Sequence, residues 1–260
     1  MMSDQLLDTF AEGLTAGLRS ALGSDLVAVY LYGSTVVGGF VADVSDIDLL
    51  VVTQRDLDAA LAERLEAFHS EFVECHPDWD DRLELVYVGL DTLANFRAGG
   101  SLAVISPGEP FHLRDGVELW ISNFYLVRET GVTLFGPPPA DTIPPVSWTD
   151  FLTEIRRYAD EVRSRNLRCA TPAGRAYCVL TMCRALATIR NDRPCSKQEG
   201  AALVRSWMPE WAWLIDEAEC CRLSRGRWGL TDDRVTEAAE SFVALVGDAI
   251  LTISQDIHTP

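Results

Sequence analysis

Tyr32-Gly33-Ser34 and, a short loop later, Ser45-Asp46-Ile47-Asp48-Leu49-Leu50-Val51-Val52 are the residues from which the rest of the chain is read. Leu26–Tyr32 reads as an apolar strand broken by Gly33-Ser34, Gly38-Gly39 punctuates the loop, and Asp46–Val52 reads as the next strand. Successive strand residues point to opposite faces, so Asp46 and Asp48 project together with α-carbons about 6.5–7 Å apart, while Ile47 turns into the core. Two hard anionic ligands at that spacing suit a pair of Mg²⁺ ions about 3.5–4 Å apart, as used for in-line displacement at phosphorus. Gly33 lets the backbone approach a phosphate, and the Ser34 hydroxyl can bind its oxygens. Gly-Ser alone occurs in countless turns; its place ahead of Asp-x-Asp is what points to nucleotidyl transfer.

Outward from this stretch, Leu6, Leu7, Phe10, Leu14, Leu18 and Leu22 give residues 5–22 a helical period. Leu57, Leu61, Leu65, Phe68 and Phe72 do the same for 55–73, Arg82–Gly89 reads as a third strand, and Val117–Glu129 as a helix. Strand, turn, strand, helix and strand within 90 residues predict a compact α/β domain. Gly136-Pro137-Pro138-Pro139 and Pro144-Pro145 mark a boundary, because consecutive prolines continue neither a helix nor a central strand. Beyond it the pattern is helical at about 149–166, 173–190, 197–206, 210–224 and 232–256. The fold class expected is α+β: an α/β domain over residues 1–145 and an all-α helical bundle over 146–260.

Glu84 interrupts the apolar strand Leu83-Glu84-Leu85-Val86, where a charge is costly without a cation or polar partner. If its strand neighbours Asp46 and Asp48, it faces the same cleft and either completes a metal shell or accepts a proton. The alternative is an edge-strand glutamate facing water. In the helical part, Ser196-Lys197-Gln198-Glu199 fits a capping box, which puts Lys197 in the first turn among unpaired N–H groups. A lysine there calls for an anion such as a triphosphate, or is a solvated surface cation. Arg184, within the apolar stretch Val179–Ile189, likewise wants an anionic partner. Trp207 and Trp211 share one helical face and read as core packing ahead of a stacking wall for substrate.

Composition narrows the partners. The 260 residues carry 22 Lys+Arg against 39 Asp+Glu, a formal charge of −17. A chain so acidic repels nucleic acid and attracts a cationic small molecule, although acidity also serves solubility alone. No apolar run approaches the ~18–20 residues that cross a bilayer, and the start, Met1-Met2-Ser3-Asp4-Gln5, lacks a secretion signal. A cytoplasmic protein is expected. Seven cysteines without CxxC pairs read as thiols in a reducing compartment, and four histidines form no metal motif, so metal binding rests on carboxylates.

These residues resemble the nucleotidyltransferase domain of the polymerase-beta-like superfamily: Tyr32-Gly33-Ser34, Ser45-Asp46-Ile47-Asp48 and Leu83-Glu84. More narrowly, their order is similar to that of the aminoglycoside adenylyltransferases of the streptomycin/spectinomycin group. Gly131-Val132-Thr133-Leu134-Phe135-Gly136-Pro137 looks like that family's segment closing the first domain. Val179-Leu180-Thr181-Met182-Cys183-Arg184 and the segment through Pro194, Ser196 and Lys197 look like its helical-domain ATP contacts. The resemblance implies a mixed sheet in the first domain and a helical domain completing the ATP and acceptor site. It implies two Mg²⁺ held by Asp46 and Asp48 with Glu84 beside them, and a triphosphate bound by Gly33, Ser34, Ser45, Arg184 and Lys197. It also implies Glu84 as general base on an antibiotic hydroxyl that attacks the α-phosphorus of ATP and releases pyrophosphate. The partner expected is a small aminocyclitol or aminoglycoside, with neither nucleic acid nor membrane, the chain acting as a monomer and giving antibiotic resistance. A cationic acceptor needs carboxylates; residues 165–175 are basic, which leaves Glu109, Glu154, Asp160 and Glu161 as candidates. Two other readings stay open: a related nucleotidyltransferase with a different small-molecule acceptor, and a nucleotide-binding sensor without turnover.

Overall fold

The computed structural model describes residues 4–42, 44–165, 171–224 and 233–253. They form two compact units, Met1–Phe151 and Leu152–Pro260. No helix among the described residues is long and apolar enough to cross a membrane.

The first unit is built on a six-stranded sheet of β1 (Leu26–Tyr32), β2 (Ile47–Thr53), β3 (Leu83–Gly89), β4 (Ser101–Ser106), β5 (Glu109–Asp115) and β6 (Val132–Phe135). Their spatial order is β5-β4-β3-β2-β1-β6. β2 and β3 run parallel, joined by helix α3 (Ala59–Cys75), and every other neighbouring pair is antiparallel. The sheet is therefore mixed.

Alternation sorts the central strands onto two cores. Val29, Leu49, Val51, Leu85 and Tyr87 face helix α1 (Asp4–Leu22) and α3, meeting Phe10, Leu14, Leu18, Leu61 and Leu65. Tyr30, Leu50, Val52, Val86 and Val88 face the other way, onto Leu93, Phe96, Phe124 and Val127. Phe124 and Val127 belong to α5 (Ile121–Thr130), which follows a 3₁₀ turn at Val117–Trp120. Strands covered on both faces read as continuous apolar runs, which is why the central ones are visible in the sequence.

Short helices α2 (Ser34–Val37), α4 (Leu90–Ala94) and α6 (Pro139–Thr142) fill the connections. The prolines at 137–139 start α6 rather than ending a longer helix, since a proline in the first turn forfeits no intrahelical bond. That segment is tied to the sheet by the Tyr30 hydroxyl, which donates to the Pro137 carbonyl at 2.9 Å and lies 2.7 Å from Thr142 Oγ1.

The second unit consists of α7 (Trp148–Arg165) beyond its first turn, α8 (Pro172–Asn191), α9 (Lys197–Trp207), α10 (Ala212–Leu223) and α11 (Asp233–Thr252). α8 is apolar on every side because α9, α10 and α11 all pack against it. Thr171 caps it by accepting the Gly174 amide, and it ends at Asp192 in the left-handed conformation. Trp207 and Trp211 are half-buried: Arg190 lies 4.9 Å over the Trp207 ring, and Trp211 meets Phe242 edge-on. No disulfide joins the described cysteines.

Candidate active site

Sheet register assembles the acidic residues. Asp48 is directly opposite Glu84 on parallel β3 and directly opposite Tyr32 on antiparallel β1. Tyr32, Asp48 and Glu84 thus form one row across three neighbouring strands, about 4.8 Å apart per step. They lie on the sheet face that carries α5, and both carboxylates are partly exposed where the apolar run of that face ends. Asp46 stands one residue before β2, also partly exposed.

The turn after β1 presses against this row. Gly33 has φ +70°, a conformation that a side chain strains. A Cβ built there would lie 2.7 Å from Asp48 Cγ and overlap the carboxylate. Glycine is needed twice over, for the turn and for the space beside Asp48. Ser34 follows as the first residue of α2, partly exposed, with the Thr35 hydroxyl donating to the Tyr32 carbonyl at 2.8 Å.

Tyr32 is buried, and its hydroxyl accepts a bond from Asn123 Nδ2 on α5 at 3.4 Å. Burial, then the charges of Glu84 and Asp48, hold its phenol well above its ordinary titration range. It is a neutral hydroxyl at any working pH, close enough to both carboxylates to feel their charge.

Ser45 lies beneath the loop that delivers Asp46. It is buried, its Oγ accepts the Val41 amide at 2.9 Å, and its carbonyl accepts Arg82 at 2.8 Å. Among the described residues no three Asp, Glu, His or Cys side chains converge tightly enough to hold a metal unaided. The donors are nonetheless of the right kind: hard, partly exposed carboxylates beside a glycine that keeps the space clear.

In the second unit, Arg184 lies on α8 and Lys197 opens α9, two helices that pack against each other. Gly200, three residues after Lys197, packs on the α8 backbone, where a Cβ would come within 2.6 Å of Arg184 Cα. Ser196 caps α9 by accepting the Glu199 amide at 3.1 Å. The Glu199 carboxylate takes the Arg193 guanidinium and the Ser196 amide, which hold it below the usual range, Arg193 being the larger cause. Lys197 lies over the Tyr177 ring at 4.8 Å, and Tyr177 shares a 2.7 Å hydroxyl bond with Tyr158.

Three of the four carboxylates expected to meet a cationic acceptor are already engaged. Glu154 holds Arg157 through two bonds of 2.8 and 2.6 Å, Glu161 holds the same arginine at 2.9 Å, and Asp160 holds Arg163 at 3.0 Å. Glu109 is exposed on the edge strand β5, 4.0 Å from His112. Residues 166–170 of the basic segment lie outside the described residues. Arg82 and Asn123 were not singled out by sequence reasoning, and Tyr32 entered only as part of the turn motif Tyr32-Gly33-Ser34. Arg82 carried a signal, an arginine at the mouth of an apolar strand; Asn123 carried none.

Two parts of the chain match known families. Residues 16–86 match the family model of the nucleotidyltransferase domain, and residues 141–245 match that of the aminoglycoside adenylyltransferase C-terminal domain. No curated protein matches the chain. Among solved structures, the spectinomycin adenyltransferase AAD(9) from Enterococcus faecialis, determined with ATP and spectinomycin, superposes with a TM-score of 0.74. It is 16% identical and covers 92% of this chain and 98% of its own, a likeness of fold. The tri-AMPylated Shewanella oneidensis HEPN toxin in complex with MNT antitoxin is 16% identical, covering 61% of this chain and 92% of its own, at a TM-score of 0.29. With a nucleotidyltransferase domain followed by an aminoglycoside adenylyltransferase C-terminal domain, the chain is a nucleotidyltransferase enzyme of the aminoglycoside adenylyltransferase family.

Proposed function

We propose that the chain transfers AMP from ATP to a hydroxyl of an aminocyclitol or aminoglycoside, of the streptomycin or spectinomycin type, and so gives resistance to it. The observation that carries this reading is the register of Asp48 with Glu84 on one sheet face, with Gly33 against Asp48. The family models over both parts of the chain support it, as does the fold shared with a spectinomycin adenyltransferase solved with ATP and spectinomycin.

Asp46 and Asp48 would hold Mg²⁺, a hard cation suited to carboxylate oxygens. When bound, the metal neutralises charge on the phosphates of ATP. The chain's own groups do the rest. Glu84 accepts the proton of the acceptor hydroxyl; that oxygen bonds to the α-phosphorus, the α–β bridging P–O bond breaks, and pyrophosphate leaves with the bond electrons. A carboxylate suffices as base because the hydroxyl becomes acidic only as the new P–O bond forms. Ser34 and the Gly33 turn contact phosphate oxygens, Ser45 holds the loop beneath them, and Arg184 and Lys197 counter the triphosphate charge. On this reading residues 1–145 supply the reacting carboxylates and 146–260 complete the nucleotide and acceptor sites, in a cytoplasmic monomer.

The reading is tested by pyrophosphate release from ATP and Mg²⁺ across a panel of aminocyclitols and aminoglycosides. Release that requires spectinomycin or streptomycin, with an adenylated product, is the expected outcome. Release with an unrelated hydroxyl compound alone moves the chain to a different small-molecule acceptor. ATP binding without any transfer reduces it to a nucleotide sensor.

A further inference from the structure

We infer that Arg82 is a positioning residue that sets where the Asp46 carboxylate stands, and through it the divalent-cation requirement of the chain; this rests on the transfer reaction proposed above. Residue 82 grips the chain on both sides of Asp46. Its guanidinium donates to the carbonyl of Ser45, the residue before Asp46, at 2.8 Å, and its own carbonyl accepts the amide of Ile47, the residue after, at 3.0 Å. The same guanidinium also donates to the Ala42 carbonyl within the loop and to the Asp78 carbonyl at 3.3 Å.

The side chain is immobilised for this task. Arg82 is 9% exposed and its guanidinium lies 4.5 Å over the Trp79 ring. The loop it holds is closed by a second, independent pair of bonds, Ser45 N–H to the Val41 carbonyl at 2.8 Å and the Val41 amide to Ser45 Oγ at 2.9 Å. Arg82 also stands two residues before Glu84 on the same strand approach. One planar group thus ties the loop carrying Asp46 to the strand carrying Glu84. Only a guanidinium presents several donors in a fixed fork; an ammonium reaches one or two of these carbonyls without fixing their relative positions. Asp46 lies outside the β2 ladder, so its place is not enforced by strand pairing as that of Asp48 is. The arginine does for Asp46 what register does for Asp48.

The test measures binding of a non-hydrolysable ATP analogue as Mg²⁺ is titrated, and again in EDTA, for wild type, Arg82→Met and Arg82→Lys. Circular dichroism establishes that each variant is folded. Expected is at least a tenfold rise in the Mg²⁺ concentration for half-maximal binding in Arg82→Met, an intermediate rise in Arg82→Lys, and affinity in EDTA within twofold of wild type. A Mg²⁺ midpoint within twofold of wild type in folded Arg82→Met overturns the inference alone. Should Arg82→Met fail to fold, the same result in Arg82→Lys overturns it. A wild type whose analogue binding ignores Mg²⁺ overturns the transfer reading together with this inference.

Discussion

The charged groups of the first unit and those of the second are held by different means. Asp48 and Glu84 are neighbours because two strands pair in register, so moving either one means breaking a ladder. Arg184 and Lys197 stand on two helices that Gly200 lets touch, and their long side chains stay adjustable. A sheet row suits reacting atoms, whose positions tolerate little error, while flexible cations suit a phosphate chain that only needs its charge countered. Mutations should separate the two regions by kind of defect: lost turnover or a raised Mg²⁺ requirement in the first, weakened nucleotide affinity even without Mg²⁺ in the second.

The largest effect expected short of removing the base is at Gly33. Gly33→Ala forces a side chain into a left-handed backbone and onto the Asp48 carboxylate. We expect kcat to fall by about a hundredfold or more, since displacement by about 1 Å costs this much in a positioned reaction. ATP affinity in EDTA should fall far less than kcat, because the turn is one phosphate contact among several. Steady-state kinetics beside nucleotide binding decides the matter; a full-rate Gly33→Ala would mean that the turn does not shape the site.

Acid should separate the units next. His69 on α3 is buried with its Nε2 2.6 Å from the Tyr87 hydroxyl and its Nδ1 unpartnered, and burial pushes its pKa down to about 4. The unfolded chain takes up that proton near pH 6.5, whereas the folded one resists it, so stability is complete above 6.5 and falls as pH drops toward 4. The loss amounts to about 3 kcal/mol in the first unit. No described residue of the second unit is a histidine. Hydrogen exchange resolved by peptide should show 4–151 loosening across this window while the helical unit holds. In His69→Gln the slope should vanish; its persistence would assign the acid sensitivity elsewhere.

A smaller effect is expected at the α8–α9 crossing. Lys197→Ala should raise the KM for ATP about tenfold, or about 1.4 kcal/mol, with kcat within a few-fold of wild type. A fall in kcat at constant KM would place Lys197 with the reacting groups and erase the contrast.

How much of this was legible in the sequence follows the same contrast. β1, β2 and β3 were readable because both of their faces are covered, leaving unbroken apolar runs. β4, β5 and β6 were not expected from the sequence. β5, Glu109-Pro110-Phe111-His112-Leu113-Arg114-Asp115, is an edge strand with mostly exposed side chains and so shows little alternation. β2 begins at Ile47 rather than Asp46; Ser45, just before, is bonded back to Val41 in a loop instead of into the ladder. The carboxylates Asp46, Asp48 and Glu84 were visible as charges in apolar surroundings. What holds them was not: the fork of Arg82 closes on carbonyls 37 and 40 residues away in sequence, and Asn123 reaches Tyr32 from 91 residues away. Such partners follow from topology, which no local pattern encodes. The arginine partners of the acceptor-carboxylate candidates were not anticipated either: Arg157 pairs with Glu154 and Glu161, and Arg163 with Asp160, from one helical turn away.

The central claim is that the carboxylate opposite Asp48 removes the acceptor's proton. Acceptor-dependent pyrophosphate release by Glu84→Gln, set beside its binding of ATP, tests it most directly. The account predicts that ATP binds as in wild type while release falls about a thousandfold or more. A glutamine variant that adenylates its acceptor at the wild-type rate would contradict it.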